Sequence, residues 1–255
     1  MTTQAKRIAA FFLTCFVATS HASTDPAWLF QNLNKSDVIA QSSQGKIDGE
    51  TYTAVVANRR NPKEELHPVV VIFSSRDGRH KLLTEFDIEN GVSSKIENNS
   101  IYIRQDYAHH GIRFIQYQFK RVGGEFKMIG IESQDMSSSD YGGVSEIERE
   151  APNYRSQEMW SGISTNLLTA RSECWLKMFD IDYSQANPNQ QDEAQSLFYR
   201  GARPKNAVTG EIRFSTTELL PLSKFASHGF RANYFYPSCY FDYHKHLHKI
   251  TSPPK

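Results

Sequence analysis

The sequence predicts a mainly β protein of the α+β class, with antiparallel sheets, a short N-terminal helix and one short helix in the C-terminal half. Large and polar side chains alternate over Ile115–Lys120, and this period of two is typical of a strand with one face on a core. Short runs of β-branched and aromatic residues recur along the chain. Pairs such as Gly123-Gly124 separate them as hairpin turns do.

The composition is that of a globular protein. The 255 residues are 39% hydrophobic and 22% charged, with 14 glycines and 10 prolines, which excludes collagen-like and low-complexity chains. This is enough material for one large domain or two small ones. The formal net charge is +1, so nucleic acid is not an expected partner.

The first 22 residues have the pattern of an export signal. Lys6 and Arg7 precede the apolar run Ile8–Val17, and small residues follow up to Ala22, in the order found in signal peptides. We therefore predict a signal peptide over residues 1–22 and a periplasmic or secreted mature protein. The apolar run is shorter than the roughly 18 residues that a membrane span needs, so no stable membrane insertion is expected.

Cleavage after Ala22 would leave two of the three cysteines, Cys174 and Cys239. Exported proteins meet oxidising conditions, so this pair predicts a disulfide. The two cysteines are 65 positions apart, and for a loop of this length the chain-entropy model gives a stabilisation on the order of 4 kcal/mol. The alternative is a catalytic thiolate at Cys174, which is disfavoured because an exported thiol with an available partner is usually structural.

The N-terminal part of the mature chain predicts a helix followed by strands. Asp25-Pro26 has a capping residue before proline, which predicts a short helix to about Leu33. Thr51–Ala57 is rich in β-branched residues, and Val69–Phe73 is a continuous apolar run. Such a run fits a central strand covered on both faces.

The middle of the chain predicts hairpins. Asp77-Gly78 is expected to turn the chain into a strand over His80–Phe86, and Asn90-Gly91 into a strand around Ile101. In the alternating segment Ile115–Lys120, the large side chains are expected to face the core. These are Ile115, Tyr117 and Phe119.

A long loop or linker is predicted over residues 136–157, where the chain becomes rich in serine, glycine and charge without a sustained period. It separates an antiparallel β-rich region, 23–135, from a second β-rich region, 158–255, which ends in an aromatic and His-rich tail. Whether these form one domain or two is left open.

The second region predicts three strands and a helix. Strands are expected over Trp160–Thr169 and Glu173–Phe179, with Cys174 facing inward, and around Ile212. Asp192–Tyr199 is predicted to be the short helix.

The sequence lacks the motifs of familiar enzymes, including the Gly-x-Ser-x-Gly elbow, the zinc helix His-Glu-x-x-His and the phosphate-binding glycine loop. No catalytic residue and no cofactor is therefore assigned. Easily recognised hydrolases and nucleotide enzymes are disfavoured.

Two groups of histidines are candidates for chemistry. His109 and His110 follow Asp106, whose carboxylate could orient an imidazole. A surface turn is the favoured interpretation, because no nucleophile or oxyanion donor can be placed beside them.

A second group, near the C-terminus, would share one side of a strand and offer nitrogen ligands to zinc, copper or nickel. Its members are His244, His246 and His248. They lie near the terminus, where tails commonly fray, so we predict no functional metal.

Arg231, Tyr234 and Tyr236 are the candidate binding residues. They belong to a segment dense in aromatic side chains, and tyrosine and arginine dominate the energetics of protein interfaces. Packing around Cys239 is the alternative role for this segment.

Three segments, Gly124–Glu132, Ile163–Thr169 and Leu219–Leu222, resemble parts of signal-peptide-bearing Gram-negative envelope proteins. The resemblance spans roughly Thr51–Phe225. Those proteins are mostly of unassigned activity, and some are toxin-immunity partners. The resemblance implies a protein partner, such as a secreted toxin, and no catalytic residue. This chain lacks the Asp-x-Asp-x-Asp-Gly loop that some of those proteins carry near their first strands.

Two functions follow as expectations. The first is an exported, non-enzymatic protein-binding protein, acting as a periplasmic immunity or inhibitor protein against a toxin. The alternative is a periplasmic hydrolase that uses His109 and His110 or a His-rich metal site. The lack of a nucleophile and base that can be placed together favours the first.

Overall fold

The structure is a computed structural model of the chain. It describes residues 27–60, 65–88, 91–107, 112–138, 156–181, 200–215, 218–228, 238–241 and 247–250. These ranges contain two short helices and thirteen strands, all paired antiparallel, which confirms the predicted fold class. The predicted signal peptide and the helix predicted over Asp192–Tyr199 lie outside them.

The N-terminal helix, α1, spans Ala27–Asn32 and starts directly after the Asp25-Pro26 pair that predicts it. Near its end, Asn32 Nδ2 donates a hydrogen bond of 2.8 Å to the carbonyl of Trp28. The chain divides into two compact units after Lys35. In the part of the chain that the structure describes, no helix is long and apolar enough to cross a membrane.

Four strands form the first sheet in the order β1 (Val38–Ile47), β2 (Glu50–Arg60), β3 (Leu66–Arg76) and β4 (Arg79–Asp87). The apolar run Val69–Phe73 lies in β3, between β2 and β4, and every residue in it is at most 1% exposed. Because successive strand residues face opposite ways, both faces of β3 are covered. The predicted central strand is confirmed.

Seven strands form the second sheet, and each pairs with the next in sequence. They are β5 (Val92–Glu97), β6 (Ser100–Tyr107), β7 (Ile112–Val122), β8 (Glu125–Ser138), β9 (Ser156–Asn166), β10 (Arg171–Ile181) and β11 (Val208–Arg213). Two short strands, β12 (Ser238–Phe241) and β13 (Leu247–Ile250), form a separate antiparallel pair.

Strands occupy both ends of the segment predicted as a loop. Residues 136–138 belong to β8 and residues 156–157 to β9, while residues 139–155 lie outside the described ranges. Serine disfavours strands only weakly, and here the ladder between β8 and β9 holds Ser137 and Ser138 in register with Met159 and Glu158. The two predicted β-rich regions therefore contribute neighbouring strands to one sheet.

Five tight turns lie together at one end of the sheets, which we call the hairpin end. They are Asp48-Gly49, Asp77-Gly78, Asn98-Asn99, Gly123-Gly124 and 167–170. All include residues with positive φ, a conformation that glycine, asparagine and aspartate adopt most readily. The turns predicted at Asp77-Gly78 and Gly123-Gly124 are confirmed, whereas the β5–β6 hairpin and its Asn98-Asn99 turn were not predicted.

The two sheets approach most closely where β1 passes β5. A Cβ atom on Gly45 would lie 2.6 Å from the carbonyl oxygen of Ile96, so only glycine permits this approach. Nearby, the backbone N–H of Ser94 donates to Gln41 Oε1 at 3.1 Å. At the hairpin end, the backbone N–H of Asp48 donates to Asn99 Oδ1 at 2.7 Å.

The main core lies between the sheets and takes buried side chains from both of them. From the predicted inward row of β7, Phe119 is fully buried and Tyr117 packs against the core. Ile115 is only partly buried, and its neighbour Phe114 is buried instead, in a separate cluster with Trp160 and Trp175. The second helix, α2 (Leu222–His228), contacts β4 and β8. The Phe225 ring of α2 lies 5.7 Å from the Phe86 ring and 5.1 Å from the Phe119 ring, so it touches both sheets.

Cys174 of β10 and Cys239 of β12 form a disulfide with a Cα–Cα distance of 6.1 Å, as predicted. Both cysteines are fully buried, and β12 packs against β9 and β10. The bond therefore fastens the C-terminal strand pair to the seven-stranded sheet.

Candidate functional site

The candidate site is the outer edge of β4, residues Arg79–Leu83, which we call the β4 edge. In the described ranges, β4 pairs with β3 only. The ladder pairs Ile72 with Thr84 and Phe73 with Leu82, so Leu83 is an extra residue between the two rungs. Such a β-bulge bends a strand and redirects its side chains.

Two large apolar side chains are exposed at this bulge. Leu82 is 50% exposed and Leu83 is 37% exposed. On β3, Phe73 lies opposite Leu82 and is 1% exposed, and Ile72 on the other side of the bulge is fully buried. Adjacent exposed leucines on an edge strand are unusual, because such edges usually carry features that prevent pairing with other chains.

The β4 edge is also positively charged. Arg79 and Lys81 are exposed, and being two residues apart they lie on the same face of the strand. No carboxylate of the described residues lies within ion-pair distance of either of them. Arg76, next to the turn, has Asp77 at 3.8 Å, with both side chains at least 80% exposed, a geometry that contributes little.

Charges at the other end of β4 are paired. Arg59 donates from Nε to Asp37 Oδ1 at 2.7 Å and from a terminal nitrogen to Oδ2 at 2.8 Å, and it also binds Glu85. The Asp37 side chain is fully buried. Its hydrogen bonds, with those of Glu85, raise the pKa of Arg59, so the guanidinium stays charged. Asp37 thus holds the guanidinium of Arg59 in β2, and the contact of Arg59 with Glu85 anchors β4 to β2.

The other outer strands differ from β4. At β11, Val208 is exposed without an exposed apolar neighbour, and Glu211 binds both Arg171 and Arg213. The edges of β1 and β5 lie against each other. Within the described residues, β4 is thus the outer strand of the two large sheets that presents adjacent exposed leucines.

No protein-family model, curated protein or solved structure matches this chain. The functional conclusion therefore rests on the geometry of the chain itself.

A serine and a histidine meet beside the Asp77-Gly78 turn. Ser75 Oγ and His80 Nδ1 share a hydrogen bond of 2.6 Å, and the two residues are opposite each other in the β3–β4 ladder. A hydroxyl beside an imidazole is also the nucleophile–base pair of hydrolases. Here the two residues lie opposite each other on β3 and β4, next to the turn that connects these strands. Their hydrogen bond therefore serves to join the two strands.

The predicted binding residues Arg231, Tyr234 and Tyr236 lie outside the described residues, so their role stays a prediction. The same holds for His109 and His110 and for the terminal histidines His244 and His246. For His248 the structure describes only the backbone, in β13.

The carboxylate predicted to orient a histidine already has a partner. Asp106 Oδ1 accepts hydrogen bonds from Arg104 Nε at 3.0 Å and from a terminal nitrogen at 2.8 Å. The Arg104 guanidinium also lies 3.9 Å from the centre of the Phe114 ring, a cation–π contact. Among the described residues there is no group of three or more His, Cys, Asp or Glu that could hold a metal ion.

Sequence reasoning missed Leu82 and Leu83. The available signal was their adjacency within the predicted strand over His80–Phe86, because two successive large apolar residues break a period of two. A break of this kind indicates a bulge.

Proposed function

We propose that the protein is an exported, non-enzymatic protein-binding protein that holds its partner at the β4 edge. The partner is a secreted toxin, which the protein neutralises in the periplasm. One observation carries the proposal, namely the exposure of Leu82 and Leu83 side by side on an outer strand.

The physical argument starts from what the β4 edge leaves unpaired. Alternate N–H and C=O groups of an outer strand point away from the sheet and can pair with another chain. Complete burial of an exposed leucine contributes about 1.5–3 kcal/mol, so Leu82 and Leu83 together supply a small apolar anchor. A few buried side chains carry most of the binding energy in protein interfaces, and we propose that Leu82 and Leu83 are among them here.

The compartment in the proposal has separate support. The Cys174–Cys239 disulfide is of the kind that persists in oxidising compartments and is rare in the cytosol. Together with the export pattern of residues 1–22, it supports a periplasmic or secreted location.

The test is to capture the partner and then remove the anchor. Wild-type protein should retain a partner from the cell envelope and protect cells from it, whereas Leu82→Glu should lose both properties. The matched control is Val208→Glu, which places the same charge at an exposed apolar position of β11 and should retain both. If Leu82→Glu and wild type bind and protect equally, the proposed site is wrong.

The residues Arg231, Tyr234 and Tyr236 enter the same experiment. If they contribute anchors, replacing an exposed one with alanine should weaken partner binding by about 2 kcal/mol without affecting folding. The hydrolase alternative predicts that no partner is retained. It would be supported if, in addition, purified protein turns over a substrate and His110→Ala abolishes this turnover.

A further inference from the structure

We infer that the partner binds as an additional β-strand along the β4 edge and that the docking segment is extended, apolar and acidic. This inference rests on the proposed function. It adds the chemistry of the partner segment and the way in which its backbone is held.

Among the described residues, no strand pairs with the outer side of the β4 edge. In the described part of the chain, the pairing partner of Arg79, Lys81 and Leu82 is β3 alone, so their groups that point away from β3 can receive a new strand. An extended segment that joins an open sheet edge gains affinity from main-chain hydrogen bonds and specificity from alternate side chains.

The length of the docking segment is limited at both ends. At one end, the Asp77-Gly78 turn reverses the chain. At the other, the bulge at Leu83 interrupts the ladder, and the Phe86 ring beyond it is covered by Phe225 of α2 at 5.7 Å. The open stretch between these limits is Arg79–Leu83, so we expect a partner segment of about the length of one short strand.

The charge of the edge selects the partner. Arg79 and Lys81 lie on one face of β4, and neither has a carboxylate partner among the described residues. Carboxylates spaced two apart on an added strand would lie opposite these cations. At an exposed surface such pairs contribute little affinity but strongly favour a complementary partner over one of like charge.

The same charges disfavour a second copy of this chain. Two β4 edges paired with each other would bring two arginines and two lysines into one small interface, and like charges on neighbouring strands are destabilising. A segment with acidic residues at alternate positions avoids this repulsion. Its remaining side chains can be apolar and contact Leu82 and Leu83.

The experiment uses the full chain and two labelled synthetic peptides of about eight residues, one alternating valine with glutamate and the other valine with lysine. Fluorescence anisotropy at about 50 mM salt limits screening of exposed charges. We expect the glutamate peptide to bind about tenfold more tightly than the lysine peptide, because its carboxylates would face Arg79 and Lys81 whereas the lysine peptide would place like charges there.

Two variants and one modified peptide serve as controls. Arg79→Glu/Lys81→Glu changes only exposed side chains and should reverse the peptide preference, which a folding defect would not do. Arg200→Glu/Lys205→Glu, at two exposed positions before β11, reverses the same number of charges and should leave the preference unchanged. A glutamate peptide with alternate N-methylated residues should bind much more weakly, because it cannot complete the main-chain ladder.

The outcomes separate this inference from the function on which it rests. Equal binding of both peptides, or full binding of the N-methylated peptide, would overturn the inference. If the captured partner still depends on Leu82 in that case, the proposed function stands and only the docking mode is wrong. A concentration-dependent dimer abolished by Leu82→Glu would show that a second copy occupies the edge, which also overturns the inference.

Discussion

At the scale of single residues, Tyr52 joins the two sheets through both its ring and its hydroxyl group. The hydroxyl of this buried residue donates to Glu50 Oε2 at 2.6 Å, and Arg121 of β7 donates to the same oxygen at 3.1 Å. The Tyr52 ring packs edge-on against Phe126 of β8 at 5.2 Å. Burial, with the hydrogen bond to Glu50, raises the pKa of Tyr52 to about 12.

Replacing Tyr52 with Phe should change how stability depends on alkaline pH. The unfolded phenol loses its proton near pH 10, whereas the folded one keeps it to about pH 12. Above pH 10 the unfolded chain therefore binds fewer protons, and the free energy of unfolding falls as pH rises towards 12.

Tyr52→Phe lacks this titration, so its stability should decline less across the same range. Urea unfolding followed by circular dichroism at several pH values measures the difference, with wild type at pH 8 as the reference. A decline as steep in the variant as in wild type would contradict the assignment.

The structural role of some residues can be predicted from the sequence, and that of others cannot. The pairing of Cys174 with Cys239 is predictable because only two cysteines follow the predicted export signal, and the structure confirms it. The need for glycine at position 162 is not. A Cβ atom there would lie 2.2 Å from the ring of Trp175, a contact that depends on how β9 and β10 align.

At the scale of elements, α2 is anchored by an aromatic side chain, Phe225, that reaches both sheets. Phe225 is 5% exposed, and its ring contacts those of Phe86, Tyr117 and Phe119. The segment before the helix is fixed by a hydrogen bond of 2.8 Å from the N–H of Met128 to the carbonyl of Leu220.

Phe225→Ala should therefore loosen α2 and destabilise the whole fold. Deletion of a buried phenylalanine side chain costs about 3–5 kcal/mol, and the cost here should be near the lower end because water can enter beside a short helix. Chemical denaturation gives the energy, and amide hydrogen exchange should show reduced protection in residues 222–228. The control is Ser223→Ala, an exposed position in the same helix, which should leave both unchanged.

The elements that could be predicted are those with a clear hydrophobic pattern or a glycine-rich turn in the sequence. Val69–Phe73 and Gly123-Gly124 belong to this group, and both are confirmed. The Asn98-Asn99 turn escaped prediction because Asn90-Gly91 carries a stronger hairpin signal nearby, although Gly91 precedes β5 instead of closing a hairpin. The end of β8 escaped because its serines gain strand structure from β9, which lies further along the sequence.

At the scale of the whole molecule, the disulfide ties the C-terminal strand pair to the large sheet across a sequence separation of 65 residues. Replacing both cysteines with alanine should lower the free energy of unfolding by about 2–5 kcal/mol. The measurement is equilibrium denaturation of wild type and variant, each with and without reductant. Reductant should destabilise wild type and leave the double variant unchanged, and equal stability of all four samples would contradict a structural part for the bond.

The arrangement of the sheets is only partly accessible from sequence. Antiparallel pairing of neighbours follows from the tight turns, but the division into sheets of four and seven strands depends on where the chain crosses after β4. That crossing is fixed by distant contacts, such as the approach of Gly45 to Ile96. The β4 edge exists because of this division, so the site could not be placed without the structure.

The order of the strands also bears on how the chain acquires its structure in time. Every described strand pairs only with strands adjacent to it in sequence. Five of these pairs close tight turns, whereas β8–β9 and β10–β11 are joined by longer segments, so most strand pairing is local for an all-β protein. If the chain is exported as proposed and emerges with its N-terminus first, it can pair each strand with the preceding one as it emerges. The Cys174–Cys239 bond joins the last strands to the sheet, so oxidation is the natural closing event of assembly. We expect the bond to form on an almost complete sheet.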